Sequence, residues 1–183
     1  STGGKVLIGG VDIAESPSEA KRKIGYLPEI PPVYPDMKVT EYLSGSKEET
    51  EKIAEDLAKT FQGGEVIFAY GPLGAGKTAF CKGLGKAIGV KGIINSPTFD
   101  LIKVYDGTNK QLYHVDCYRL ENCKEERKDL SLDEIVGEKD VITYVEWPRY
   151  ASKWLLEYHP RIEVTRTYID EEKRKITIKD ERF

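Results

Sequence analysis

Eight consecutive residues, Gly71-Pro72-Leu73-Gly74-Ala75-Gly76-Lys77-Thr78, satisfy the pattern GxxxxGK(S/T). The chemistry of such a run is phosphate binding. Its glycines let the backbone turn successive N–H groups toward one point, and a helix starting there adds its positive end. Lys77 supplies a point charge for β- and γ-phosphates, and the Thr78 hydroxyl suits Mg²⁺. The nucleotide-contacting set is therefore Gly71, Gly74, Ala75, Gly76, Lys77, Thr78 and Ala79. The ligands it implies are ATP or ADP with Mg²⁺.

Holding a nucleotide hydrolyses nothing. The metal needs a carboxylate and the attacking water needs an orienting group. Two apolar runs end in acids: "LYHVD" at Asp116 and "ITYVE" at Glu146. At the carboxyl ends of strands, both would face the nucleotide and share the metal with Thr78. As a pair behind a phosphate loop they are the catalytic candidates with Lys77, although either acid alone could be a solvated strand end. A third element is "NSPTFD" (95–100). It can be a plain turn, or Thr98 can belong to a switch that senses the γ-phosphate. His114 and His159 stand alone, and a single histidine inside "QLYHVD" reads as a packed or capping residue.

These groups must be positioned by regular elements. "SKEETEKIAEDLAKTF" opens with a capping box from Ser46 to Glu49 and sets Ile53, Leu57 and Phe61 on one helical face. "EVIFAY" (65–70) is a buried strand leading into the loop, and "TAFCKGLGKAIGV" is the helix leaving it. "FDLIKVY" and "KQLYHVD" form a hairpin around "DGTN". "SLDEIV" is a short helix capped by Ser131, "DVITYVEW" a buried strand, and "RYASKWLLEY" a helix. "RIEVTRTYI" and "RKITIKD" close as a second hairpin around "DEEK". The alternation predicts an α/β fold of the P-loop NTPase type: a mainly parallel sheet flanked by helices, with antiparallel hairpins added.

Composition agrees with a cytoplasmic enzyme. The 183 residues include 39% hydrophobic and 32% charged, enough for a core and for solubility. No apolar run reaches the roughly 18 residues of a membrane span, and "STGGKVLIGG" does not read as a signal peptide. A net charge of −3 gives no general attraction to nucleic acid, so any RNA contact is local or indirect. Cys81, Cys117 and Cys123 are read as reduced thiols, since they are odd in number and lack zinc spacing.

"GPLGAGKT", "SPTFDLIKVY", "LYHVDCYRL" and "VEWP", in this order, resemble the TsaE family, small bacterial ATPases of tRNA threonylcarbamoyladenosine formation. The resemblance spans residues 44–183. It implies an accessory ATPase working beside a TsaB–TsaD complex, with tRNA reached through that complex. It also implies that Asp116 is the metal carboxylate, Glu146 the Walker-B-like acid, Trp147 a neighbour of the nucleotide and Thr98 the switch threonine. Two positions depart from the family pattern: Ala79 replaces a second hydroxyl residue, and Arg149 stands where an acid is usual. No arginine finger is obvious in the sequence, and Arg119 is only a candidate for that role. A P-loop small-molecule or nucleoside kinase is the alternative enzyme, but no arginine-rich lid is visible. A non-hydrolysing module that uses nucleotide only to hold a shape is the other.

The first 43 residues read differently. "GKVLIGGVDI" suggests two short strands about a glycine, "SPSEAKRK" a capped helix, and "GYLPEIPPVYPD" an extended proline-rich stretch. Together they resemble the part of an ABC transporter ATPase that runs into its Q-loop, with Glu29 at the glutamine position. This fragment has no phosphate loop of its own. It is expected to be an appendage, residues 1–43, on an ATPase domain of residues 44–183.

Overall fold

The computed structural model describes residues 7–8, 10–12, 15, 38–122 and 132–183. It divides into two units, Ser1–Pro35 and Asp36–Phe183. In the first, β1 (Leu7–Ile8) and β2 (Val11–Asp12) pair antiparallel, with Ile8 opposite Val11. This is the strand pair expected around the glycine turn. The helix expected at "SPSEAKRK", the proline stretch, Ser131 and Cys123 lie outside the described residues.

The second unit is built on seven strands: β3 (Lys38–Ser44), β4 (Val66–Tyr70), β5 (Ile102–Asp106), β6 (Gln111–Asp116), β7 (Val141–Glu146), β8 (Ile162–Tyr168) and β9 (Arg174–Asp180). Their order is β3-β9-β8-β4-β7-β6-β5. The four central strands, β8-β4-β7-β6, run parallel, whereas β5, β9 and β3 join antiparallel. The sheet is therefore mixed rather than mainly parallel: both expected hairpins are present, and β3 adds a further antiparallel edge. Lys38–Leu43 had been assigned to the appendage, yet they pair with β9 throughout, from Lys38↔Asp180 to Leu43↔Lys175.

Helix α1 (Lys47–Ala58) starts at the expected cap, where Ser46 Oγ accepts from Glu49 N at 3.1 Å. The Glu49 carboxylate reaches back to Gly45 N at 2.7 Å, one residue ahead of the usual box partner. Its inward face is Ala54 and Ala58, with Ile53 and Leu57 at the margin and Phe61 buried just beyond. Helix α2 (Lys77–Ala87) packs on α1 so closely that a Cβ on Gly83 would stand 2.1 Å from the Glu51 carbonyl oxygen. Only glycine fits that crossing.

The two helices share a core with Ile67, Ala69, Tyr144 and Val164 on one face of the sheet. The other face carries Val66, Phe68, Val115 and Val145 beneath Leu120, Leu132 and Leu155. Each such fully buried aliphatic or aromatic side chain stabilises by about 1.5–3 kcal/mol. The expected helix "RYASKWLLEY" is broken into a 3-10 turn, Pro148–Tyr150, and one α-turn, α3 (Lys153–Leu156). "SLDEIV" forms a 3-10 turn at Leu132–Glu134. Among the described residues no helix is long and apolar enough to cross a membrane.

Candidate functional site

β4 is buried along its length because Val66, Ile67, Phe68 and Ala69 face packed layers on both sides. It delivers the chain to Gly71 at the carboxyl edge of the parallel strands. Gly71 has φ 143°, and a Cβ there would meet the Arg166 carbonyl oxygen at 2.9 Å, so the loop leaves the strand only through glycine. Gly76, at φ 89°, is the N-cap of α2 and provides no side-chain cap. The first turn of α2 contains no acid, which leaves its N–H groups for an anion.

Lys77 is 5% exposed and turned onto its own loop. Its Nζ donates to the carbonyls of Gly71 at 3.0 Å and Pro72 at 2.8 Å, and stands 4.0 Å from the centre of the Trp147 ring. Burial depresses the ammonium below its ordinary value; Arg166 and Arg149 add to the effect, and Glu146 and Asp116 oppose it.

β6 and β7 are parallel neighbours, and their register sets Asp116 opposite Glu146 and His114 opposite Tyr144. The period of two puts all four on the α2 side of the sheet. Both acids are nearly buried. Glu146 Oε1 accepts from the Thr78 hydroxyl at 3.1 Å and lies 2.9 Å from His114 Nε2. Asp116 is held by other groups. Its Oδ2 lies 2.5 Å from the Thr98 hydroxyl and 3.1 Å from that of Ser96, the two hydroxyls being 2.7 Å apart. Its Oδ1 accepts from Tyr118 N at 3.0 Å.

These groups line one hollow of about 460 Å³, shared by Lys77, Thr78, Thr98, Asp116, Glu146 and Trp147. Gly74, Gly76 and Ala79 also border it, while Ala75 is buried behind the loop. Residues far apart in sequence are thus gathered at the head of α2. Hard oxygen donors beside a hydroxyl suit Mg²⁺, which takes few protein ligands and completes its shell with phosphate and water. Trp147 has a left-handed backbone, φ 56°, and forms an aromatic row with Tyr118 and Tyr150 on which Arg149 stacks. Arg119 donates to the Phe99 carbonyl at 3.2 Å and so braces the Thr98 segment.

Some of the site escaped the sequence reading. His114, which reads from its strand as a packed or capping residue, is buried and also bonds the candidate acid; its spacing of two from Asp116, on the same strand face, is the available signal. Ser96 shares the Asp116 contact with Thr98. A second hollow, of about 350 Å³, lies across the loop between Ser46, Thr50, Ala75, Ala79, Glu172 and Arg174. The phosphate loop forms one wall of it, and the other, from the start of α1 and the β8–β9 hairpin, carries no nucleotide motif. Cys81 is a buried free thiol whose pKa burial pushes well above the usual range, and Cys117 is buried too.

Comparison with known proteins places this arrangement in context. Residues 44–176 match the family described as "Threonylcarbamoyl adenosine biosynthesis protein TsaE". Three relatives carry the name tRNA threonylcarbamoyladenosine biosynthesis protein TsaE. The one from Bacillus subtilis is 39% identical over 77% of this chain and 85% of its own length. That from Aquifex aeolicus is 39% identical over 75% of this chain and 94% of its own. That from Streptomyces coelicolor is 37% identical over 69% of this chain and 87% of its own. The crystal structure of Bacillus subtilis YdiB superposes with a TM-score of 0.63 at 32% identity, covering 79% of this chain and 86% of that one. Sequence and architecture converge, and the chain belongs to the TsaE family, whose members are named for tRNA threonylcarbamoyladenosine biosynthesis.

Proposed function

We propose that the chain is a Mg²⁺-dependent ATPase of the P-loop type that serves tRNA threonylcarbamoyladenosine formation beside a TsaB–TsaD complex, reaching tRNA only through it. In this reading the catalytic groups all lie within residues 44–183, β3 completes their sheet, and residues 1–35 are an appendage without a catalytic part. The observation that carries the proposal is the 3.1 Å contact between the Thr78 hydroxyl and Glu146, residues 68 apart in sequence, with Asp116 in register beside Glu146.

The loop N–H groups from Gly71 to Ala79 wrap the phosphates, and Lys77 leaves its carbonyl contacts to meet the β- and γ-oxygens. Thr78, Asp116 and Glu146 would hold Mg²⁺, which would supply positive charge to the transferring phosphoryl group. The Glu146 carboxylate orients a water and accepts its proton as the water oxygen bonds to the γ-phosphorus and the bond to the β–γ bridging oxygen breaks, releasing ADP and phosphate. Thr98 responds to the γ-phosphate, and Trp147 closes the side of the site. The hollow across the loop is the place proposed for the adenosine end, because Gly74, Gly76 and Ala79 border both spaces. Cytoplasmic location follows from the same role.

Turnover of ATP by the full chain with TsaB–TsaD, beside Lys77→Ala and Asp116→Ala, tests the proposal. Both variants should lose at least about a hundredfold in kcat. Equal turnover by all three proteins would exclude it, and a phosphorylated nucleoside or metabolite as product would favour a kinase.

A further inference from the structure

Arg166 is the third inward residue of β8 after Ile162 and Val164, and it is wholly buried. Its Nη2 donates to Tyr144 Oη at 3.1 Å, and Tyr144 Oη donates to the Lys77 carbonyl at 2.7 Å. Its guanidinium lies over the Phe80 ring at 4.5 Å. Nε and Nη1 have no acceptor, and no ion pair to Arg166 exists among the described residues. A buried cation with idle donors is costly, and one hydroxyl and one ring face offset only part of that cost.

The position of this charge matters. The Arg166 carbonyl closes on Gly71, where the phosphate loop begins. The bonded relay from its guanidinium ends on the first residue of α2. The same charge acts on the Lys77 ammonium.

We propose that Arg166 is a positioning residue for the phosphate loop, fixing the Lys77 peptide through Tyr144 and making the floor of the loop positive toward a polyphosphate. The proposal rests on the loop being a nucleotide site. The ligand then provides the countercharge that no carboxylate among the described residues supplies by direct contact. A consequence is that stability and binding respond to Arg166 with opposite signs. Removing the charge relieves the ligand-free fold but weakens the hold on phosphate.

The test is the affinity of the full chain for AMP, ADP and ATP with Mg²⁺, by titration calorimetry, in wild type, Arg166→Met and Tyr144→Phe. Arg166→Met should leave the ligand-free Tm unchanged or higher. It should weaken ADP about tenfold, the order expected of one charge pair across a protein interior. The loss should grow from AMP to ATP. Tyr144→Phe, which keeps the charge and cuts the relay, should weaken all three ligands by one similar, smaller factor. Affinities of Arg166→Met equal to wild type, or lowered equally for the three ligands, overturn the proposal whatever the Tm. Should the methionine variant not fold, Arg166→Lys decides: affinities within about threefold of wild type support it, and a tenfold loss overturns it. A wild type that binds none of the three removes the nucleotide reading itself, and this proposal with it.

Discussion

His114 Nε2 and Glu146 Oε1 stand 2.9 Å apart in a spot where His114 has no exposed surface. An ionised carboxylate only accepts, so Nε2 carries the proton, and Nδ1 has no partner among the described residues. The same Glu146 oxygen accepts from Thr78, which in the proposed mechanism turns toward Mg²⁺. His114 is then the group that keeps Glu146 in place. His114→Leu should lower kcat for ATP by about ten- to hundredfold, the usual effect of losing an orienting partner of a metal site. Affinity for MgADP should change by less than about threefold, and His114→Gln, which keeps a donor, should recover much of the rate. A leucine variant with wild-type kcat would refute this role.

The Asp116 contacts predict an uncoupling. Thr98 and Ser96 satisfy a carboxylate that is almost wholly buried, and a carboxylate stripped of a donor gains more from a metal. Thr98→Val should therefore bind MgADP about two- to fivefold more tightly. Its ATP turnover should fall about tenfold, because the segment no longer responds to the γ-phosphate. Calorimetry and steady-state rates on one preparation check both halves. Weaker MgADP binding would show that Thr98 acts as a ligand in the ADP state rather than as a latch.

How much of this was legible depended on whether the signal was local. The capping box at Ser46, the phosphate loop and the apolar run ending in Glu146 are local patterns, and each lies where its residues predicted. Alternation within "QLYHVD" sets His114 and Asp116 on one strand face. It cannot say that His114 meets Glu146 from the next strand, or that Arg166 bonds Tyr144 two strands away, because those pairs exist only after register is set. Strand direction is equally non-local, which is how a mixed sheet passed for a mainly parallel one. β3 was hidden for a different reason. Its pattern is mostly exposed, with Val39 and Leu43 facing solvent, so nothing local separated this edge strand, held by its ladder to β9, from the appendage before it.

That strand revises where the chain can be cut. Deleting residues 1–35 should leave Tm unchanged and ADP affinity within about threefold, since the seven-stranded unit begins at Asp36. Deleting residues 1–43 removes nearly all of β3, uncovers β9 and loosens Ser44, whose hydroxyl bonds Thr50 at 2.7 Å in α1. Tm should then fall by about 5 °C or more. Differential scanning calorimetry of the two truncations separates the cases. Equal Tm values would mean that the β3 ladder contributes nothing to the domain.

Lys77 ties affinity to pH. The protonated amine is the form that binds phosphate, and burial, the largest influence, holds its pKa below the ordinary 10.5. The free protein therefore starts to lose this charge at a lower pH than an exposed lysine would. Bound phosphate stabilises the ammonium and raises the pKa again, so in the alkaline window below 10.5 binding must take up a proton and affinity must fall as pH rises. Below that window the amine is charged with or without ligand, and neither effect remains. Titrating MgADP in two buffers of different ionisation enthalpy reads the uptake directly. Lys77→Arg keeps a cation that stays protonated across this whole range, so any binding it retains should show no proton uptake and no pH slope from this site. If wild-type affinity stays flat and proton uptake is nil up to pH 10.5 while the fold is intact, Lys77 does not meet the phosphates as a buried amine, and the assignment of the loop fails at its central residue.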